Sequence, residues 1–223
     1  MNQIEFIEKW ETLKIEGFYQ EYFNKKRIHT IAIYGVNEAA IRVIDDLKND
    51  GVNITYVIAA DKETYKTDIN VVSIESELMP VDVIFVIDFE QYEIIEKEIC
   101  ERYDYTVASG EMLLRQLRKY ANAKRMNKIK QFCKEHPNVY LYGAGEIGKK
   151  CLAAMHKLEL YPQGFVVSQC KPDEFVLGVP VVGFEQFCHL EHTGVIITVG
   201  KKNYDEVVGQ LQSIAFIDYI SYL

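Results

Sequence analysis

The sequence predicts an α/β protein made of two small Rossmann-like domains in tandem, each with a doubly wound parallel sheet and each preceded by a helix. Three observations support this fold class. Short apolar runs alternate with helix-period segments along the chain. The pattern of runs repeats after 108 residues, from Gly35 to Gly143, and the second copy carries a complete glycine-rich turn. Such alternation indicates a parallel sheet covered on both faces.

Length and composition exclude several classes of protein. The 223 residues are 48% hydrophobic and 26% charged, which indicates one large globular domain or two of about 110 residues. With 25 Lys and Arg against 33 Asp and Glu, the net charge is -8, so we expect no nucleic-acid partner. No cationic and apolar leader and no membrane-length apolar run is visible, which favours a cytoplasmic protein without membrane insertion. Five scattered cysteines without a CxxC pair fit reduced thiols.

The internal repeat is clearest in two apolar runs that end in Tyr-Gly, at 31–35 and 139–143. The same displacement aligns 56–60 with 164–168. With a slip of two residues, 69–72 aligns with 179–182, and with a slip of four, 83–88 aligns with 195–200. Near the end of each half, Asp104-Tyr105 resembles Asp218-Tyr219. A repeat of this kind predicts two copies of one supersecondary unit.

Each half is interpreted as strand, helix, strand, short strand, strand, helix and final strand. Right-handed crossovers then give the strand order 3-2-1-4-5. A helix is expected before each first strand, over 3–25 in the first half and over about 111–135 in the second. The boundary is placed near Ser109-Gly110, which gives domains 1–110 and 111–223.

The two predicted domains differ in charge. Residues 1–110 contain 11 basic and 22 acidic side chains, net -11, whereas residues 111–223 contain 14 and 11, net +3. The second domain is therefore the better host for an anion. Much of its basic excess lies in the leading helix. That helix lacks interleaved aromatic residues, so we interpret it as a face that docks on the acidic half rather than as a nucleic-acid site.

The strand at 138–142 runs directly into a complete G-x-G-x-x-G, formed by Gly143, Ala144, Gly145, Glu146, Ile147 and Gly148. In such a loop the first glycine permits a tight turn, the second lets a pyrophosphate approach the backbone, and the third lets helix and strand pack closely. The helix that follows offers free N–H groups and the positive end of its dipole. The loop therefore predicts a phosphate site.

The end of the second strand bears on the choice of nucleotide. NAD sites place Asp or Glu there, and NADP sites place an arginine nearby. Here the strand ends in Ser168-Gln169, and Lys171 follows. Ser168 and Gln169 can hydrogen-bond a ribose or sugar hydroxyl, or simply cap a turn. The cofactor stays unassigned, with a nucleotide-sugar preferred to NAD(P).

The first half offers an internal control, because its corresponding loop retains only the first glycine. Gly35 is kept, whereas Asn37 and Ala40 replace the second and third glycines. Ala40 preserves close packing of the helix, but the side chain of Asn37 intrudes where a pyrophosphate would approach. Asp61 follows the second strand, so the acid and the glycines lie in different halves. We expect the first half to be a structural partner domain.

The segments at 142–150 (YGAGEIGKK), 164–168, 178–182 and 195–200 resemble the small Rossmann-like domains of bacterial surface-glycan biosynthesis proteins. Such domains lie at the N-terminus of hexapeptide sugar acyltransferases, where they bind a nucleotide-sugar, and are also fused to glycosyltransferases and methyltransferases. The resemblance covers about 138–223, with a degenerate version in the first half. Hexapeptide repeats are absent from this sequence, so acetyl transfer is not implied.

This resemblance implies roles for individual residues. Gly143, Ala144 and Gly145 would meet the phosphate, and Ser168 would stand where the family commonly has Asp. Gly200 would lie at the sugar or nucleotide edge, and Thr198 beside it completes the expected cofactor-binding set.

Catalytic candidates are few, and no catalytic residue is assigned. Tyr120 and Lys124 have the spacing of a short-chain dehydrogenase pair but lie in the leading helix, away from the expected context. Lys201-Lys202 follows the fourth strand, where the lysines could pair with phosphates. Cys188, His189 and His192 form C-H-x-x-H, which we interpret as a helix end because no second pair completes a metal site.

Three functions remain open at this point. The first is an accessory or regulatory protein that binds a nucleotide or nucleotide-sugar, with a homodimer or a glycan-biosynthesis enzyme as its partner. The second is an NAD(P)-dependent epimerase or reductase of nucleotide-sugars. The third is a ligand-free scaffold or dimerisation module.

Overall fold

The computed structural model describes residues 1–13, 17–59, 68–190, 192–214 and 217–222. The chain divides into two compact units, Met1–Ala121 and Asn122–Leu223, and each contains one sheet. The division falls within a long helix, Gly110–Glu135. The boundary predicted near Ser109-Gly110 lies at the start of this helix. The predicted α/β fold class, with two Rossmann-like sheets, is confirmed.

The first unit has a five-stranded parallel sheet in the order β3-β2-β1-β4-β5, which is the predicted order. Burial on both faces follows from the apolar strands, as β4 illustrates, where all four side chains are buried. The elements, in chain order, are α1 (Gln3–Glu11), α2 (Phe18–Lys26), β1 (Ile31–Tyr34), α3 (Glu38–Asn49), β2 (Ile54–Ile58), β3 (Val71–Val72), β4 (Val83–Val86), α4 (Tyr92–Arg102), β5 (Val107–Ser109) and the first part of α5 (Gly110–Glu135).

The single leading helix predicted over 3–25 is wrong, because two helices occupy this segment. Thr12 is the C-cap of α1. Gly17 is the N-cap of α2 and has φ +70°, a left-handed conformation that interrupts a helix and favours glycine. Both helices contribute aromatic side chains to the core. Trp10 is fully buried, stacks on Tyr19 with ring centroids 5.2 Å apart, and donates its indole N–H to Asp46 at 2.8 Å.

The second unit has a six-stranded sheet in the order β11-β10-β6-β7-β9-β8. Five strands are parallel in the predicted order, and β8 adds an antiparallel edge that was not predicted. The helix predicted over 111–135 is α5. The remaining elements are β6 (Asn138–Tyr142), α6 (Glu146–His156), β7 (Gly164–Val167), β8 (Phe175–Val176), β9 (Val179–Gly183), α7 (Phe184–Phe187), β10 (Thr193–Ile197), α8 (Lys201–Gln212) and β11 (Ile217–Ser221).

Strand pairing tests the alignment of the halves residue by residue. Tyr34 pairs with Ile58 and Tyr142 with Val166, two pairs separated by the expected 108 residues. On the other side of the central strand, Tyr34 pairs with Val86, whereas Tyr142 pairs with Ile197. The fourth strands therefore align with a slip of three residues rather than four.

The ends of the halves also align differently from the sequence expectation. Asp104-Tyr105 precedes β5, whereas Asp218-Tyr219 lies within β11.

No helix in the described part of the chain combines the length and the apolar content that crossing a bilayer requires.

Candidate functional site

The predicted site residues of the second unit lie at the carboxyl edge of three neighbouring strands. β6 lies between β7 and β10, and all three run parallel. The segments that follow them, 143–148, 168–169 and 198–200, therefore lie along one edge of the sheet. This edge, where the order of strands reverses around β6, is where open α/β sheets bind ligands.

The first and third glycines of the loop are required by packing. Gly143 has φ +111°, and a Cβ there would lie 2.9 Å from Val199 Cγ1 and 3.1 Å from the carbonyl oxygen of Thr198. A Cβ at Gly148 would lie 1.9 Å from the carbonyl oxygen of Gly143. These glycines let α6 pack against the turn, which is the structural role predicted for them.

The second glycine, Gly145, has no packing role. It is the N-cap of α6 in an extended conformation, and no atom lies within 4 Å of the position its Cβ would take. No side chain caps the helix, and the N–H of Ala144 has no acceptor among the described residues. The first intrahelical bond is donated by Lys149 to Gly145 at 2.9 Å. The space beside Gly145 is open, and the uncapped amides and positive dipole of this helix N-terminus are suited to a phosphate.

The other two loop residues lie beside these amides. Glu146 is exposed and forms an ion pair with Lys149, one turn further along α6, at 3.1 Å. Its carboxylate is therefore drawn along the helix surface. Ile147 is half-buried.

Thr198 lies beneath the loop rather than at its surface. It is 2% exposed, and its hydroxyl donates to the carbonyl oxygens of Tyr142 at 2.8 Å and Gly143 at 2.9 Å. Its backbone N–H also donates to Tyr142 at 2.9 Å. The sequence indicated Thr198 as a site residue but gave no signal for this contact with the loop backbone.

Ser168, Gln169 and Gly200 occupy the rest of the edge. Ser168 and Gln169 are exposed immediately after β7. Gly200 is the N-cap of α8, without a side-chain cap and with nothing within 4 Å of its Cβ position. Lys201 and Lys202 are exposed in the first turn of α8. A second uncapped helix N-terminus therefore lies at the same edge, with two cations beside it.

The corresponding loop of the first unit is filled by its own side chain. Gly35 keeps a positive φ of +122°. Asn37 is the N-cap of α3: its Oδ1 accepts from the N–H of Ala40 at 2.9 Å, and its Nδ2 donates to the carbonyl oxygen of Ile87 at 2.6 Å. The amide oxygen thus occupies the place that a phosphate oxygen would need.

A second side chain, which sequence reasoning missed, covers the same helix N-terminus. With the carboxamide of Gln3 oriented to satisfy its neighbours, its oxygen accepts from the N–H groups of Glu38 at 3.0 Å and Ala39 at 3.2 Å. No local signal could have found this contact, since Gln3 lies on α1. Asp61, the other residue considered for this domain, lies outside the described residues.

The remaining candidates have other contacts. Tyr120 donates to Glu21 Oε1 at 2.7 Å, and this bond raises the pKa of the phenol, opposite to the lowered pKa that a proton donor of the dehydrogenase type uses. Cys188 is the C-cap of α7. Within the described ranges, no three His, Cys, Asp or Glu side chains are grouped to hold a metal ion.

Comparison with known proteins finds no matching family model and no matching curated protein. Two solved structures, titled "GsuK Channel" and "Crystal structure of the GsuK bound to ADP", align with TM-scores of 0.28 and 0.26, each at 13% identity over 87% of this chain. The alignment spans 66% of those chains, just under two thirds of their length. Similarity this low does not establish a shared function.

Proposed function

We propose that the second unit binds a nucleotide or nucleotide-sugar through the loop at 143–148, with the diphosphate on the N-terminus of α6. In this proposal the protein is an accessory or regulatory binding protein of bacterial glycan biosynthesis in the cytoplasm. The observation that carries the binding proposal is the uncapped helix N-terminus at Gly145, in a chain whose other glycine turn is capped by Asn37.

Charge and chemistry at the edge support an anionic ligand with hydroxyl groups. The amides of the first turn and the helix dipole attract phosphate. Ser168 and Gln169 are exposed at the same edge of the sheet and present neutral hydrogen-bonding groups. The end of β7 has Ser168-Gln169 and no acidic residue that would hydrogen-bond the ribose of NAD. This favours a nucleotide-sugar over NAD(P). The glycan context rests on the resemblance of 138–223 to surface-glycan biosynthesis domains.

A thermal-shift panel tests the proposal. The ligands are NAD, NADP, coenzyme A and a set of UDP-, GDP- and CDP-sugars, each added to the full chain. A ligand at 100 times its Kd adds about 2.7 kcal/mol to the free energy of unfolding, which is easily detected. We expect one class of nucleotide-sugar to raise the melting temperature.

Two glycine variants make the result specific. Gly145→Asn places in the second unit the cap that the first unit already has, and the space beside Gly145 accommodates it without a clash. Gly209→Asn is the matched control, because Gly209 lies in α8 and also has nothing within 4 Å. The ligand shift should disappear in G145N and persist in G209N. Stabilisation by NAD or NADP alone would favour a reductase or epimerase, and no shift with any ligand would favour a scaffold.

A further inference from the structure

Two buried polar side chains distinguish β10 and its end from the other described strands. Thr193 and Thr198 are each 2% exposed, and they are the buried polar residues of the described part of the chain outside the aromatic side chains. Thr198 has one hydroxyl proton, which is shared between the carbonyl oxygens of Tyr142 and Gly143 at 2.8 and 2.9 Å. Such three-centre bonds hold both acceptors in a fixed direction.

The direction of the Gly143 carbonyl determines the direction of the next amide. A trans peptide is planar, so its C=O and its N–H point to opposite sides. The carbonyl of Gly143 faces the protein interior, toward Thr198 and toward the position that a Cβ of Gly148 would take. The N–H of Ala144 therefore points away from the interior, and it has no acceptor among the described residues.

Glycine alone would not hold this orientation. Gly143 has φ +111°, in a region that only glycine adopts readily, and glycine can also adopt many other conformations. A restraint on the carbonyl is needed to keep the peptide in one orientation. The hydroxyl of Thr198 supplies one by hydrogen bonding, in addition to the packing of Gly148 against the same carbonyl.

We infer that Thr198 is a positioning residue, which holds the peptide between Gly143 and Ala144 so that the Ala144 N–H faces a bound phosphate. This inference rests on the proposed function, since the phosphate is the ligand proposed for the loop. Rotation of the peptide would replace a donor by a carbonyl oxygen and so repel the phosphate. Loss of one hydrogen bond to a charged group lowers affinity by about tenfold or more.

Three variants separate positioning from general packing. Thr198→Val keeps the shape of the side chain and removes the hydroxyl, whereas Thr198→Ser keeps the hydroxyl. Thr193→Val makes the same change at the start of β10. Its side chain is as buried as that of Thr198 but lies five residues earlier in the chain. If Thr198→Val does not fold, Thr198→Ala serves in its place.

Two measurements are made on the full chain. Crystal structures without nucleotide give the orientation of the Gly143 carbonyl, and calorimetric titration gives the affinity for UDP. In T198V we expect a rotated or doubly oriented peptide and a Kd for UDP raised about tenfold or more, with T198S and T193V close to wild type.

The outcomes distinguish the inference from the proposed function. An unchanged peptide in T198V, or a rotated peptide with unchanged UDP affinity, overturns the role of Thr198 and leaves the binding function standing. If wild type binds no UDP while the peptide rotates in T198V, the positioning of the peptide is supported and UDP binding is refuted.

Discussion

The two glycine turns of this chain solve one physical problem in opposite ways. Each turn leads into a helix whose first N–H groups have no partner in the helix. In the first unit, Asn37 and Gln3 supply oxygen acceptors to those groups. In the second unit, Gly145 supplies none. Two side chains, one of them at the N-cap, thus distinguish a helix whose first amides are satisfied from one that can receive an anion.

The segments that lead into the second helix at each carboxyl edge differ in charge. In the first unit, Asp88 Oδ1 accepts from the backbone N–H groups of Glu90 at 3.2 Å and Gln91 at 3.0 Å, just before α4. In the second unit, Gly200 precedes α8 and carries no side chain. A carboxylate at this edge repels phosphate, whereas a bare helix N-terminus attracts it. The two edges therefore differ after the fourth strand as well as at the first N-cap, since a carboxylate precedes α4 and a glycine precedes α8.

The largest expected effect concerns the third loop position, where Gly148 corresponds to Ala40. Gly148→Ala would place a methyl group 1.9 Å from the carbonyl of Gly143, so α6 must shift. We expect a loss of about 3 kcal/mol in the free energy of unfolding, from overpacking against backbone. Urea unfolding followed by circular dichroism measures it.

The matched change in the first unit runs in the opposite direction. Ala40→Gly removes a buried methyl that fits its site, and we expect a loss of only about 1 kcal/mol. Fluorescence of Trp10, the single tryptophan, reports this change because Trp10 is buried in the first unit. A loss in G148A no larger than the loss in A40G would contradict the close approach of α6 to its turn.

An effect smaller than that of Gly148→Ala is expected at the cap of the first unit. Asn37→Ala removes the acceptor for the Ala40 N–H and the donor to the Ile87 carbonyl. The expected loss is about 2 kcal/mol, from one N-cap and one unpaired carbonyl. The urea midpoint by Trp10 fluorescence measures it, and Asn49→Ala, at the exposed end of the same helix, should change the stability by less than about 0.5 kcal/mol. Equal midpoints for the two variants would show that Asn37 does not satisfy the turn.

Periodicity and turn chemistry predicted most of this fold. Apolar runs located the first four of the five strands that order each parallel sheet, and the glycine pattern located the turn between β6 and α6. A final strand was predicted for each half without a range, and Asp104-Tyr105, aligned with the close of the second half, precedes β5. The break between α1 and α2 was missed, although Gly17 lies inside the predicted helix, because a single glycine is tolerated in many helices. The short strand β8 was missed because two residues are too few to show a period.

The details of the site depended on contacts that no local pattern contains. Asn37 could be identified as an intruding side chain because it lies in the loop itself. Gln3 could not, because it reaches the same helix from a separate element, and its residue type is common on helix surfaces. The hydroxyl of Thr198 is similar, since only the pairing of β10 with β6 brings it to the loop.

The smallest expected effect distinguishes the units by pH at the opposite end of their fourth strands. Asp82 precedes β4 and accepts from the backbone N–H groups of His29 at 2.6 Å and Thr30 at 2.8 Å. These bonds hold the pKa of its carboxyl below the usual value, with the bond from His29 the largest cause. Thr193, which does not titrate, begins β10 of the second unit.

A folded-state pKa below the unfolded value means that the stabilisation is present at neutral pH and is lost as pH falls through the folded-state pKa. Asp82→Asn should therefore lower the urea midpoint of unfolding, followed by Trp10 fluorescence, at pH 7. The difference in midpoint between variant and wild type should disappear as the pH is lowered from about pH 5 to pH 2. Thr193→Val is the control, since any difference that it causes should not close at acid pH. A difference for D82N that stays constant from pH 7 to pH 2 would show that the carboxylate charge contributes nothing to the first unit.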